Sequence, residues 1–204
     1  MRKNKKGLTF IIIGFLCITV AVCWISYNVC EDYTAGTSSK LALDEIKNDD
    51  SCIDGANENN SNNVTPDYIL NPNMEMPTIT EDGNDYIGVL ELYSLNIELP
   101  IMSECSYPNL RIAPCRYSGS PYLSNMVIAG HNYSNHFGRL SDMKIGDEVE
   151  FIDVDGNKFD YTVADIEVLQ PLAVKEMTES EWDLTLFTCT IDGANRIAVR
   201  CEKN

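Results

Sequence analysis

The chain has 204 residues, with 15 Lys and Arg against 31 Asp and Glu, a formal net charge of −16. That length holds one full-sized domain plus attachments. The acidic balance argues against a nucleic-acid binder, which needs a basic surface to displace counterions from phosphate. Charge is also unevenly distributed. Arg2, Lys3, Lys5 and Lys6 are the charged side chains of residues 1–30, whereas residues 31–204 carry 11 basic and 31 acidic side chains.

The first predicted element is apolar. Leu8 to Tyr27 is an uncharged run of 20 residues. As a helix it would extend roughly 30 Å, the thickness of a bilayer's hydrocarbon core. Inside lipid such a segment must be helical, because its backbone amides have no water to bond. Trp24 and Tyr27 stand near one boundary, where amphipathic rings settle, and the basic cluster at residues 2–6 should remain cytoplasmic. A cleaved secretory signal is the rival reading, but no small-x-small cleavage site follows a short apolar core. A buried core helix fits less well, since a basic leader precedes an uninterrupted apolar run. The sequence therefore predicts a cytoplasmic tail over residues 1–7, a transmembrane signal anchor over 8–29, and an outward-facing remainder.

Residues 30–79 read as an acidic, Asn-rich flexible tether. The stretch 31–85 holds 13 acidic and two basic side chains and includes GANENNSNNVTPD at 55–67. Short polar side chains and like charge leave little apolar surface to offset the entropy of ordering. Within it, Lys40–Ile46 has the spacing of a short amphipathic helix, Asp49–Asp67 should be flexible, and Tyr68–Met76 is apolar enough to lie against a domain.

From residue 80 onward the sequence predicts a compact domain. Ile87–Leu92 and Ile97–Ile101 are strand-like, and residues 125–130 form an apolar run closed by Gly130. Residues 147–169 alternate, turn at Asp155-Gly156-Asn157 and alternate again, the pattern of a hairpin. Leu184–Cys189 and Arg196–Cys201 are two further strands. Helical signals are short, at His136–Met143 and Ala173–Met177. Seven or eight short strands indicate an all-β domain, either a closed or nearly closed barrel or a sandwich, and periodicity alone does not choose between them.

Eight Cys are present. Cys17, Cys23 and Cys30 belong to the membrane segment or its edge, and Cys52 to the tether. The absence of a CxxC pair and the presence of two His make a zinc site improbable, so no metal is expected. Cys105 and Cys115 flank SYPNLRIAP, and in an outward-facing domain they are candidates for a bridge. Cys201 reads as a small buried hydrophobe.

Three residues stand where chemistry is possible. Cys189 ends an apolar strand and precedes a turn, so it is held rigidly yet reaches the rim of the sheet. Nucleophilic sulfur needs a thiolate or a base that generates one. His131 follows another apolar strand immediately. Arg196 opens the last strand, and its guanidinium offers five donors to a thiolate or an oxyanion. Each alone would usually be a packed or solvated residue. Their contexts together carry more weight.

Those contexts resemble the sortases, membrane-anchored cysteine transpeptidases of Gram-positive bacteria. The nucleophile motif of that family, Thr-Leu-x-Thr-Cys, matches Thr185-Leu186-Phe187-Thr188-Cys189. Its histidine motif matches Val127-Ile128-Ala129-Gly130-His131-Asn132. Its arginine motif, Arg-x-x-Val, matches Arg196-Ile197-Ala198-Val199, with Arg200 as a weaker competitor for the catalytic role. The resemblance covers about residues 86–202 and implies an eight-stranded sortase-type β-barrel, with Cys189, His131 and Arg196 converging at one rim. The Arg116–Ser120 stretch and the run after His131 look class B-like, and class D-like members share several features.

The resemblance further implies cleavage of a Leu-Pro-x-Thr-Gly-like sorting signal of secreted proteins and transfer to a peptidoglycan cross-bridge or precursor amine. It implies a thioacyl intermediate on Cys189 and no cofactor. Thr188, Asp192 and Asn132 become candidates to bind or orient substrate, although a turn-capping role suits Asp192 equally. His136 reads as a structural or solvent-facing companion. The competing class is a catalytically inactive, membrane-anchored extracellular peptide-binding β-barrel. For the topology, a reporter fused after Asn204 is expected outside the cell; its recovery in the cytoplasm would refute an outward-facing domain.

Overall fold

A computed structural model of the chain describes residues 5–48 and 65–204. It opens on one uninterrupted helix, α1 (Lys5–Asn48). By length and composition the helix is able to cross a membrane, and its most apolar window is fully unburied. The short helix expected at residues 40–46 is the end of this same element. Beyond Glu31, Ala35, Ser39, Ala42, Leu43 and Ile46 recur every three or four residues and are buried. Ala42, Leu43 and Ile46 pack with Tyr86, Val89, Met102, Ala113 and Cys115 of the folded domain. Residues 31–48, read from sequence as the start of a spacer, are thus a docked helix. Most of the flexible stretch expected at Asp49–Asp67 lies outside the described residues, as do Arg2, Lys3 and Cys52.

A short helix, α2 (Asp67–Leu70), brings the chain to the domain. Tyr68 stacks on Tyr122 with ring centroids 4.8 Å apart, and Met74 packs on the main core. The strands follow as β1 (Ile79–Glu81), β2 (Asn84–Leu92), β3 (Ile97–Met102), β4 (Cys115–Ser118), β5 (Met126–Ala129), β6 (Glu148–Asp153), β7 (Lys158–Leu169), β8 (Leu184–Cys189) and β9 (Arg196–Lys203). Helix α3 (Tyr107–Leu110) precedes β4, and helix α4 (Val174–Thr178) precedes β8. The sheet order is β2-β3-β4-β5-β8-β9-β7-β6, and β6 pairs back onto β2. That return makes an eight-stranded closed barrel, with β1 added as a hairpin on the start of β2.

Closure runs through antiparallel pairs from Gly88↔Asp153 to Leu92↔Val149. Gly88 sits at φ +152°, and a Cβ there would collide with the Ile152 carbonyl oxygen, so the closing strands meet at a position only glycine fills. Inside the barrel, Leu90, Ile101, Ile128, Phe151, Phe159, Leu186 and Val199 form one core. The hairpin turn after β6 is held by Asp153, whose buried carboxylate accepts from the backbone amides of Asp155 and Asn157, the Asn157 amide group and the Tyr122 hydroxyl. Alternation did not reveal β1 or β4, each too short to show a period. The helix expected over His136–Met143 is a series of turns ending in a 3-10 turn at Leu140–Asp142.

Cys105 and Cys115 are both free thiols, and Cys115 Sγ donates to the Ala113 carbonyl at 3.3 Å. Cys201 is buried in the core, as its strand position suggested.

Arg200 is the largest fully buried side chain among the described residues. Its guanidinium donates to Glu167 Oε1 (2.7 Å), Thr185 Oγ1 (2.9 Å) and the Glu176 carbonyl (2.8 Å). It therefore ties β9 to β7, β8 and α4. Arg200→Ala should cost about 2–4 kcal/mol of stability, because it leaves buried acceptors unpaired and opens a void. Denaturant unfolding of the full chain in detergent checks this; an unchanged midpoint would show that the clamp contributes nothing.

Candidate active site

Strand register builds the site. β5 runs parallel to β8 with Val127↔Thr185 and Ala129↔Phe187 paired, and the Gly130 amide extends the ladder to the Phe187 carbonyl at 3.0 Å. β8 and β9 are antiparallel, with Cys189↔Arg196 as their last pair. Residues alternate between the two faces of a strand. Leu184 and Leu186 lie in the core, so Thr185, Phe187 and Cys189 occupy the outer face, with Arg196, Ala198 and Arg200 beside them on β9. The same alternation carries Val127 and Ala129 outward on β5 and leads to His131. Cys189 ends β8, Arg196 opens β9 and His131 follows β5 by two residues, so the three stand at one end of three adjacent strands.

Gly130 makes the approach to His131 possible. A Cβ at this residue would lie 2.6 Å from the Phe137 ring, which packs against the backbone just before the histidine. The loop then folds back on itself, the Phe137 amide donating to the His131 carbonyl at 3.1 Å. The His131 ring is held edge-on by Tyr107 (centroids 5.5 Å) and tilted against Tyr133 (4.9 Å). Its Nε2 is buried without a hydrogen-bond partner. Burial, followed by the positive charge of Arg111, holds its pKa below the ordinary imidazole value, and Glu31 opposes them. The Arg196 guanidinium donates to the carbonyls of Asn195 (3.0 Å) and Gly193 (3.4 Å) in its own loop.

The sortase domain model matches residues 90–204, more than half of the chain. The chain belongs to the sortase family. No curated protein matches. Among solved structures, the sortase fold is similar to that of a lid mutant of sortase A from Corynebacterium diphtheriae, with TM-score 0.54 and 24% identity over 59% of this chain and 71% of that one. Sortase C of Streptococcus pneumoniae aligns with TM-score 0.53 and 24% identity over 58% of this chain and 68% of that one. A D-type sortase transpeptidase of Clostridium perfringens aligns with TM-score 0.52 and 20% identity, covering 62% and 82%. The likeness extends across A, C and D types.

The remaining candidates in this sortase separate cleanly. Thr188 faces the barrel interior opposite Ile197, 2% exposed and with Oγ1 unpartnered, so it does not line the face that carries Cys189. Asp192 closes the β8–β9 turn by accepting from the Thr190 hydroxyl and the Ala194 amide, which also lowers its pKa. Asn132 is exposed and lines a cleft of about 580 Å³ together with Asn28, Glu31, Asp32 and Ile191. Arg200, two register pairs beyond Ala198↔Phe187 from the rim-proximal end, is occupied by its clamp on Thr185 and Glu167.

Four neighbours of His131 were missed from sequence. Tyr107 opens the four-residue helix α3 and Arg111 follows its end, Tyr133 lies in a turn, and Glu31 is on α1, 80 residues before the arginine it pairs with. Only Tyr133, two residues after His131, had a signal in its proximity.

His136 is not solvent-facing. It is fully buried, and neither ring nitrogen has a hydrogen-bond partner, although the Ala35 and Ile112 carbonyls stand nearby. Burial pushes its pKa down to about 4, helped by His131 and opposed by Asp32. The unfolded chain binds this proton near pH 6.5 and the native chain does not. The stability contributed by the neutral ring is thus complete above pH 6.5 and is lost as pH falls towards 4, amounting to roughly 3 kcal/mol. His136→Leu should flatten that part of the stability–pH curve relative to wild type; identical slopes between pH 6.5 and 4 would refute it.

Proposed function

We propose that this sortase is a cysteine transpeptidase that cleaves a Leu-Pro-x-Thr-Gly-like sorting signal on secreted proteins and passes the acyl group to a cell-wall amine. The observation that supports the reading is the placement of Cys189, His131 and Arg196 at one end of three adjacent strands, set by the β5–β8–β9 register. Cys189 Sγ, as thiolate, attacks the carbonyl carbon of the scissile amide. The C–N bond breaks, protonated His131 gives its proton to the departing amine, and a thioacyl enzyme remains. Neutral His131 then takes a proton from the incoming amine, which attacks the thioester and expels the thiolate. Arg196 stabilises the oxyanion of each tetrahedral intermediate. Asn132 and the cleft it lines receive part of the substrate. Water competes as a slow acceptor, giving peptidase activity. The amine belongs to the peptidoglycan cross-bridge or its precursor, and the polar stretch at Arg116–Ser120 favours a class B-like or class D-like enzyme. α1 holds the domain on the outer face of the cell membrane, with the N-terminus cytoplasmic.

Intact-mass measurement with a sorting peptide tests the chemistry. Wild type should gain the acyl mass, and Cys189→Ala should gain none while keeping its fold. Failure of wild type to form the adduct would favour the inactive peptide-binding barrel. Arg196→Lys keeps the charge but loses the planar fork, and should reduce kcat by about 10²-fold. Near-normal turnover would move the oxyanion role to backbone amides. Thiolate and imidazolium are needed together, so kcat/KM should be bell-shaped in pH. Because burial holds the His131 pKa below 6.5, the limb that reports it should lie on the acid side of pH 6.5.

A further inference from the structure

We infer that Glu31, on the anchor helix, is a positioning residue of the active site, acting on His131 through Arg111 and Tyr107. The reading of His131 as the acid and base rests on the proposed function; the contacts themselves do not. Glu31 Oε1 accepts from Arg111 Nη2 at 2.7 Å and from the Tyr27 hydroxyl at 2.7 Å. The Arg111 guanidinium lies over the Tyr107 ring, 5.6 Å from its centroid. Tyr107 in turn meets the His131 ring edge-on, with an interplanar angle of 89°.

This chain of contacts is needed because little else holds Tyr107. Its side chain is 67% exposed, at the start of the four-residue helix α3, which Ser106 caps through the Asn109 amide. Burial does not fix such a ring; the arginine over one face and the imidazole at its edge do. Arg111 is itself held by a carboxylate from another element. One residue further along α1, Asp32 accepts from both the amide and the hydroxyl of Ser134, at 2.9 and 2.6 Å, and so clamps the loop between His131 and His136. The anchor helix thus grips both walls of the histidine, the Tyr107 side through Glu31 and the Tyr133 side through Asp32.

The pair is electrostatically active as well. Arg111 disfavours the imidazolium and Glu31 favours it. The other groups near His131 are Tyr107 from α3 and Tyr133 and His136 from its own loop; Asp32 of α1 reaches that loop through Ser134, and Cys189 and Arg196 stand at the ends of the neighbouring strands β8 and β9. Removing the carboxylate leaves the guanidinium charge unopposed, and removing the guanidinium does the reverse. Glu31 lies one helical turn beyond Tyr27, the last residue of the apolar run, about 6 Å along the axis. The element that fixes the enzyme to the membrane is then also the one that tunes its acid–base residue.

The test uses the full chain in detergent micelles and follows the imidazole Cε1–H signals by NMR across pH. The chain has two His, and His136→Leu assigns them. Glu31→Gln should move the His131 midpoint to lower pH, Arg111→Gln should move it to higher pH, and Glu31→Asp should restore part of the wild-type value. With a sorting peptide, Glu31→Gln should lower kcat/KM by about two- to fivefold at pH above the His131 midpoint, where the imidazolium fraction falls with its pKa, the size expected of one exposed charge pair. Shifts of the same sign in both Gln variants, or no shift in either, would overturn the inference. If wild type does not turn over the peptide at all, the proposed function fails while the two opposite titration shifts still decide the role of Glu31.

Discussion

The parallel pairing of β5 with β8 is the constraint on which the rest of this site depends. Its register sets Ala129 beside Phe187, so the chain leaving β5 carries His131 to the same end of the barrel at which β8 finishes in Cys189. Because side chains alternate along a strand, a slip of one residue would turn the histidine inward while leaving the cysteine outside. The register is protected by what lies on the other face. Met126, Ile128, Leu184 and Leu186 all project into the core, and a one-residue slip would exchange them with their outward neighbours. Packing inside the barrel therefore determines chemistry outside it.

Closure supplies the second requirement, rigidity at the rim. β2 pairs with β3 on one side and β6 on the other, and β9 is held between β8 and β7. A closed sheet has no free edge along which strands slide. Within it, the two arginines of the last strand divide the work by position. Arg200 is sunk beneath α4, with its donors committed to protein acceptors. Arg196 sits at the open end beside Cys189, with one guanidinium nitrogen on loop carbonyls. One element thus carries a structural cation and a candidate catalytic one four residues apart.

The first helix changes the picture of how the apolar segment joins the domain. Thr34-Ala35-Gly36-Thr37-Ser38-Ser39 has the composition of a linker. In the folded chain the same small residues let α1 approach the barrel closely: a Cβ at Gly36 would meet the Asn135 side chain, and Ala35, Ser39 and Ala42 are buried. At the far end, Lys47 pairs with Glu98. A helix that continues from an apolar run directly onto the domain fixes distance and orientation together, which a flexible tether does not.

The sequence by itself determined the elements whose pattern is local. The apolar run, the hairpin with its Asp-Gly-Asn turn, and strands β8 and β9 were legible because alternation and turn residues lie within a few positions of one another. As candidates, Cys189, His131 and Arg196 were legible through three short motifs, and register brings the three strand ends they adjoin to one end of the barrel. Thr188 and Asp192 belong to or adjoin the same motif but serve the interior and the turn, since adjacency along a strand puts neighbours on opposite faces. Short strands such as β4 show no period, and the buried state of His136 depends on a helix that lies a hundred residues earlier. The sequence also held no sign that Glu31, Tyr107 and Arg111 meet at His131. Small residues make a linker or a close-packed helix, and a charged pair is solvated or shared, according to what lies across from them; only the tertiary structure supplies that partner.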